Sequence, residues 1–213
     1  MADVLRTPQQ ERSRDKLERI YQVSVELLVQ GGWEAITVGD VERRSGVSRG
    51  AFYLRFPTRQ ALLDYTRQRL VETVRDDLDR CFDLARNAGA TTLDAAVRAA
   101  VDAMATLFRR HGPALLRLDY LDQTEGVQDA GAAAMNRLSQ EFRSVIEPAA
   151  GTDPALRARL EFATEIALSM IVLKLRPRAA FPDHPDLDWD GYLTEVCAAL
   201  TGYLRPHLPP SSR

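Results

Sequence analysis

The apolar positions of this 213-residue chain recur mainly at intervals of three and four residues, which is typical of amphipathic α-helices. Strand-type alternation is nearly absent, as are Asn-Gly and Asp-Gly hairpin turns. The first apolar stripe runs from Leu17 to Leu28 and stops at Gly31-Gly32, as helices commonly stop at glycine. The pattern therefore predicts an all-α protein of about nine helices.

Two of the predicted helices are short and lie next to each other within residues 37–56. Thr37 and Ser48 are suited to cap them, and Gly46 provides the turn between them. This arrangement indicates a helix-turn-helix. The remaining helices are predicted at 58–87, 92–111, 113–121, 127–148, 153–176 and 188–206, with Gly112-Pro113 as the break between the second and third of these.

The second short helix has one apolar face and one polar face. Phe52 and Phe56 are four residues apart and can be buried, whereas Arg49 and Tyr53 share a different face. Gly50 lies between them, where glycine costs about 0.5–1 kcal/mol relative to alanine. A close approach of the backbone to DNA would compensate for that cost, although a solvated arginine and a half-exposed tyrosine are the structural alternative.

Charge supports a polyanion site in the same region. Residues 1–60 carry ten basic and eight acidic residues, although the whole chain has a net charge of −2. Arg55 and Arg59 extend a basic rim, and a helix starting at Thr58 presents free backbone N–H groups to a phosphate. We therefore expect DNA, if it binds, to bind the N-terminal part of the chain.

The segments TVGDV (37–41), SGVSRGAFYLRF (45–56) and RQALL (59–63) resemble the N-terminal domain of TetR/AcrR transcriptional regulators. The resemblance implies a three-helix DNA-binding domain over residues 1–64 and a helical ligand-binding and dimerisation domain over 65–213. It implies phosphate contacts from Thr37, Ser48, Tyr53 and Arg59, with Arg49 and Gly50 nearest the bases. Arg44 and Arg55 complete the expected contacts, and Arg59 replaces the lysine usual in the family.

The family resemblance also implies a homodimer on a palindromic double-stranded DNA operator, and release by a small effector. Broad apolar surfaces on the last two predicted helices fit either a dimer interface or a monomer core, and the resemblance favours the interface. The predicted interface residues are Leu156, Leu160, Ala163, Ala167, Ile171, Leu193, Val196, Leu200 and Leu204.

Aromatic and methionine side chains in the C-terminal part suit a pocket for an apolar or amphipathic effector, although such residues also form ordinary cores. Lys174 follows an apolar run and can meet an anionic ligand or favour the helix dipole. The candidate pocket residues are Phe82, Met104, Phe108, Tyr120, Met135, Phe142, Phe162, Met170 and Lys174.

The sequence predicts neither an enzyme nor a bound cofactor or metal. Three histidines and two cysteines have no ligand or catalytic spacing, and the acids of residues 183–190 are better explained as helix caps. No long apolar run or leader is evident, so a cytoplasmic protein without membrane association is expected. A dimeric regulator, usually a repressor, is the favoured function; a helical ligand-binding or interaction protein without specific DNA binding, or an enzyme, is the alternative.

Overall fold

The computed structural model describes residues 8–118, 125–151, 154–176 and 188–207, and these residues contain eight α-helices and no strand. Two short 3₁₀ turns, Trp33–Ala35 and Arg205–His207, complete the regular structure. The helices are α1 (Pro8–Gly31), α2 (Val38–Ser45), α3 (Arg49–Tyr53), α4 (Arg59–Asn87), α5 (Leu93–Leu118), α6 (Glu125–Ala150), α7 (Pro154–Leu175) and α8 (Trp189–Leu204).

The prediction of an all-α fold is confirmed. The described residues form eight helices where about nine were predicted, and the difference arises at one place in the chain. The two helices predicted on either side of Gly112-Pro113 form the single helix α5. A Cβ added to Gly112 would lie 3.2 Å from Cδ1 of Leu175, so this glycine lets α7 pack closely against α5 instead of ending the helix. The packing of α7 against α5 outweighs the loss of the backbone N–H donor at Pro113.

The described residues divide into two compact units. The first comprises the residues up to Thr73 together with the segment from Ala114 to Leu118, and the second comprises Val74–Pro113 and all later described residues. The predicted boundary at residue 64 falls within α4, nine residues before the division in the structure.

The core of the first unit is built by α1, α2, α3 and the start of α4. Ile20 and Leu28 of α1 are fully buried, as are Val41 of α2 and Phe52 of α3. Ser24, also fully buried, donates its hydroxyl to the carbonyl of Ile20 at 2.8 Å, which satisfies the polar group inside an apolar region. The two short helices are therefore held by α1 rather than by their own propensity.

The second unit contains a large apolar core between α4, α5, α6, α7 and α8, and a buried polar cluster around Asp77. Asp77 of α4 accepts hydrogen bonds from Arg80 and Arg110 at 2.7 Å, and His111 Nε2 lies 2.8 Å from its Oδ2. Burial opposes ionisation of this carboxyl, but the hydrogen bonds from Arg110 and His111 prevail, and its pKa is lower than usual. The cluster joins α4 to α5.

None of the helices that the structure describes is both long enough and apolar enough to cross a bilayer.

The turn between α2 and α3 provides a test of the fold. Gly46 has φ +66°, and replacing it with alanine is expected to lower the free energy of unfolding by about 1–2 kcal/mol, because a Cβ crowds the next carbonyl in left-handed backbone. Gly39→Ala in helix α2 is the matched control. No atom lies within 4 Å of its added Cβ, so we expect no loss of stability.

Chemical denaturation followed by circular dichroism measures both variants. A Gly46→Ala variant as stable as the unmodified chain would contradict the left-handed turn.

Candidate nucleic-acid interface

The turn that joins α2 and α3 is fixed by its own hydrogen bonds. The N–H of Gly46 donates to the carbonyl of Glu42 at 3.1 Å, and the N–H of Val47 donates to Oγ of Ser45 at 3.3 Å. Ser45 and Val47 are both buried. The turn therefore sets the direction in which α3 leaves α2.

Helix α3 has a buried face and an exposed face. Phe52 is fully buried, and its ring centroid lies 5.4 Å from that of Phe56. Arg49 is exposed, Tyr53 is 41% exposed, and the Arg49 guanidinium lies 5.7 Å from the centroid of the Tyr53 ring. The aromatic pair anchors α3, and the Arg49–Tyr53 pair remains open to a partner.

Gly50 is not required by the fold of this chain. It is exposed, it has no positive φ, and a Cβ built on it meets no heavy atom within 4 Å. Glycine nevertheless weakens a helix of only five residues. The structure leaves open space beside the backbone at the centre of the exposed face.

Three hydroxyl residues predicted to contact phosphates lie at helix starts, but only two of them act as caps. Thr37 Oγ1 accepts from the N–H of Asp40 at 3.1 Å, and Thr58 Oγ1 accepts from the N–H of Ala61 at 3.1 Å. Ser48 precedes α3 without a side-chain cap hydrogen bond and is exposed. Of the three, the hydroxyl of Ser48 is the one not used for capping.

The Asp40 carboxylate lies beside Thr37 at the same helix start. The hydroxyl of Thr37 donates to it at 2.6 Å, and this bond is the main reason that the pKa of Asp40 is lower than usual. Nearby Arg43 and Arg44 contribute to the shift. Arg43 also forms an ion pair with Asp40, which leaves part of its charge neutralised.

Arg59 makes an internal tie that the sequence patterns did not reveal. Its Nε donates to the carbonyl of Ile36 at 2.9 Å and its NH2 donates to the carbonyl of Trp33 at 2.7 Å. Both acceptors lie in the connection between α1 and α2. Arg59 therefore fastens the start of α4 to that connection, a geometry for which two donors on one planar group are suited.

Two further predicted contact residues are also engaged within the chain. Arg55 donates to the carbonyl of Ala51 at 3.0 Å and to Oγ of Ser13 at 2.8 Å. Arg44 is exposed and donates to Oε1 of Gln30 at 3.2 Å. Arg55 thus ties the end of α3 to α1, whereas Arg44 remains at the surface.

One exposed residue at the end of α3 was not singled out from the sequence. Leu54 is 84% exposed, more than any other large apolar side chain in the described part of the chain. The spacing of the apolar residues does not reveal that Leu54 is exposed, because Leu54 lies between Phe52 and Phe56, which are both buried.

The sequence of this region matches a known family. The family described as "Bacterial regulatory proteins, tetR family" matches residues 20–66, which contain α2, α3 and the residues that anchor them. This match identifies residues 20–66 as the DNA-binding part of a regulator of the tetR family.

The relatives and a solved structure agree with this family assignment. The chain is 34% identical over 84 residues to the HTH-type transcriptional regulator AlkX of Mycobacterium tuberculosis, covering 39% of this chain and 40% of AlkX. It is 41% identical over 49 residues to the uncharacterized HTH-type transcriptional regulator YerO of Bacillus subtilis, covering 23% of this chain and 17% of YerO. The matches thus span less than half the length of either relative.

The fold similarity extends further than the sequence similarity. A transcriptional regulator of the TetR/AcrR family from Aquifex aeolicus VF5 aligns with 91% of this chain and 99% of its own, with a TM-score of 0.53 and 16% identity. The likeness shows a TetR-type fold. The match of residues 20–66 to bacterial regulatory proteins also agrees with the prediction that the chain is not an enzyme.

The predicted effector residues that the structure describes are divided between the core and the surface. Phe82, Met104 and Phe142 are fully buried in the core of the second unit, whereas Met135, Phe162 and Met170 are 44%, 51% and 37% exposed. Phe108 is half-buried against the same core. Tyr120 lies outside the described residues.

Lys174 and the acids before α8 have local partners. The ammonium of Lys174 lies 5.1 Å from the ring centroid of Tyr192, a cation–π contact that neither predicted role included. Asp188 accepts from the N–H of Gly191 at 2.8 Å, which confirms the capping interpretation for this acid. Asp183 lies outside the described residues.

One open groove of about 510 Å³ lies between α4 and α5. Half of its lining residues are alanines, and the others include Cys81 and the ion pair of Arg98 with Asp102. None of the described effector candidates lines this groove.

The predicted dimer residues require a correction. The nine residues all lie in the core of the single chain and are at most 4% exposed, so they pack α7 and α8 against this chain rather than facing outward: Leu156, Leu160, Ala163, Ala167, Ile171, Leu193, Val196, Leu200 and Leu204. The sequence showed broad apolar helices but not which of their apolar faces the chain itself covers.

The outward face of α7 and α8 carries a second apolar set. On α7 it contains Phe162, Met170 and Leu173, which are 51%, 37% and 41% exposed. On α8 it contains the exposed small residues Ala198, Ala199 and Gly202. We call these six residues the α7–α8 outer face.

Removal of the Arg59 side chain is expected to lower the free energy of unfolding by about 1.5–3 kcal/mol, because two carbonyls lose charged donors. Arg59→Lys should recover only part of this loss, since an ammonium cannot reproduce the planar pair of donors. Arg75→Ala, at an exposed arginine of the same helix, is the control and should be nearly neutral. Urea denaturation measures the free energy of unfolding of each variant. Equal values for Arg59→Ala and Arg75→Ala would contradict a stabilising role for the Arg59 hydrogen bonds.

Proposed function

We propose that this TetR-family chain is a transcriptional regulator that binds a palindromic DNA operator as a homodimer, with α3 as its recognition helix. The observation that carries the proposal is the exposed face of α3, which presents Arg49, Gly50 and Tyr53 at the surface. This face presents the planar guanidinium of Arg49 and the hydroxyl of Tyr53, two groups that are suited to contact DNA.

Each residue of this face has a defined task in the proposed complex. Arg49 is suited to donate two hydrogen bonds to the O6 and N7 atoms of a guanine. The hydroxyls of Tyr53 and Ser48 are suited to donate to phosphates, which position the helix without reading sequence. The open space at Gly50 allows the backbone to approach the base edges.

Arg55 and Arg59 take a different role in the proposal from the one first expected. Because their donors are committed to Ser13, Ala51, Ile36 and Trp33, they hold the recognition helix and the start of α4 in place. Thr37 and Thr58 act in the same way, as caps, and Arg44 supplies an exposed charge beside the DNA.

We infer that the α7–α8 outer face is the dimer interface. Helix α7 exposes Phe162, Met170 and Leu173 on its outer side, beside the exposed Glu161 and Glu165, and clustered exposed apolar side chains commonly mark an interface. Its inner side is covered by this chain, and a second copy related by twofold symmetry would cover the outer side. Two recognition helices would then reach successive major grooves, about 34–36 Å apart.

We further propose that the regulator is a repressor released by a small apolar or amphipathic effector. The core of the second unit contains Phe82, Met104 and Phe142, whose side chains would line a site if an apolar molecule separated the helices around them. Such an effector shifts the population toward a non-binding state only if it binds that state more tightly.

Selection of bound duplexes from a random DNA pool at near-physiological salt tests the proposal. Enrichment of a palindrome supports a dimeric, sequence-specific regulator. Absence of any enriched sequence, with the protein shown to be folded, would instead favour the alternative of a helical interaction protein without specific DNA binding.

Alanine variants of the exposed face are expected to distinguish the residue that recognises a base from the residue that contacts a phosphate. Arg49→Ala should weaken binding to the selected operator by about 1–3 kcal/mol and relax the base preference at one position in each half-site. Tyr53→Ala should weaken binding by about 1 kcal/mol with the base preference retained. Arg75→Ala removes the same charge from the second unit and should change neither quantity.

Fluorescence anisotropy at two salt concentrations measures these affinities. Unchanged affinity and preference in both Arg49→Ala and Tyr53→Ala would show that this face does not contact DNA.

A large residue on the α7–α8 outer face is expected to convert the dimer to a monomer. An added Cβ at Gly202 meets no atom of the chain within 4 Å, so Gly202→Arg should leave the monomer folded while it blocks a second copy. Ala133→Arg, at an exposed position of α6, is the matched control and should remain dimeric. Sedimentation velocity distinguishes the species, and a dimeric Gly202→Arg protein would place the interface elsewhere.

A further inference from the structure

Leu54 is the residue of the recognition region whose exposure is least expected from its surroundings. It is 84% exposed between Phe52 and Phe56, which are 0% and 5% exposed. Single exposed leucines are common on protein surfaces, so its position rather than its exposure carries the argument.

The backbone places Leu54 directly beyond Gly50 on α3. Its N–H donates to the carbonyl of Gly50 at 3.1 Å, and its φ and ψ of −62° and −26° continue the helix. Residues four apart on a helix share a face. Gly50 and Leu54 therefore form an apolar strip that runs beside the Arg49–Tyr53 pair.

The surroundings of this strip favour nucleic acid as its partner. Arg49, Tyr53 and Ser48 are exposed around it and present a cation and two hydroxyls, which match phosphates and base edges better than an apolar protein surface. Leu54 itself has no favourable interaction with phosphate. The apolar feature in the major groove of DNA is the C5-methyl group of thymine.

We propose that Leu54 is a specificity-determining residue that packs against the C5-methyl of a thymine in each operator half-site. The absence of a side chain at Gly50 lets the helix come close enough for this contact. The inference rests on the proposed function, and it adds a second base to the one read by Arg49. Leu54 therefore selects thymine, while the phosphate contacts remain independent of sequence.

Replacement of single thymines by deoxyuridine in the selected operator tests this contact. The change removes one methyl group and leaves base pairing intact. At one thymine in each half-site, the unmodified protein should lose about fourfold in affinity, as expected for exposing one buried methyl to water. Leu54→Ala should bind the thymine operator about tenfold more weakly and should be insensitive to the same replacement.

Two variants control for other causes. Leu54→Met keeps an apolar side chain and should retain most of the sensitivity to deoxyuridine. Leu84→Ala removes a leucine that is 68% exposed on α4 in the second unit and should bind both operators as the unmodified protein does. Thermal unfolding followed by circular dichroism establishes that each variant is folded.

The outcomes separate the inference from the proposed function. Equal deoxyuridine penalties in Leu54→Ala and in the unmodified protein, or no penalty at any thymine, would overturn the role of Leu54 and leave specific DNA binding intact. Failure of the unmodified protein to enrich any operator would overturn both. Loss of the penalty only in Leu54→Ala supports the thymine contact.

Discussion

The surface of the first unit depends on the burial of the aromatic face of α3. A helix of five residues is far too short to be stable by itself, and this one contains a glycine. Burial of Phe52 and Phe56 against the rest of the unit supplies the stability that the helix lacks. Only because that face is anchored can the opposite face remain polar, exposed and fixed in direction.

The arginines around this anchor are divided between two tasks. Arg55 and Arg59 direct their donors to groups of the chain itself, so that Arg55 ties the end of α3 to α1 and Arg59 ties the start of α4 to the connection between α1 and α2. Arg49 has its guanidinium near the Tyr53 ring and no such tie to any residue that the structure describes. Rigid placement of the exposed residues therefore depends on charged residues that face inward, a common division in precise binding sites.

Much of this organisation was predictable from local sequence. The caps at Thr37 and Thr58, the left-handed turn at Gly46, and the split between Phe52 with Phe56 and Arg49 with Tyr53 all follow from spacing and residue type. The tie made by Arg59 was not predictable, because its acceptors are backbone carbonyls more than twenty positions earlier. The continuity of α5 through Gly112-Pro113 depended in the same way on Leu175, which only the tertiary fold brings near. Likewise, periodicity identified the apolar faces of α7 and α8 but could not say which one the chain itself covers.

The exposed apolar side chains on the outer side of α7 have a consequence for how such a protein responds to its own concentration. If the outer side is covered only when two copies meet, then scarce chains are mostly single, and the number of pairs rises with the square of the chain concentration. Occupancy of a DNA site that requires a pair then changes more steeply than the amount of protein made. The exposed outer side of one helix thereby makes the occupancy of the DNA site depend steeply on the concentration of the protein.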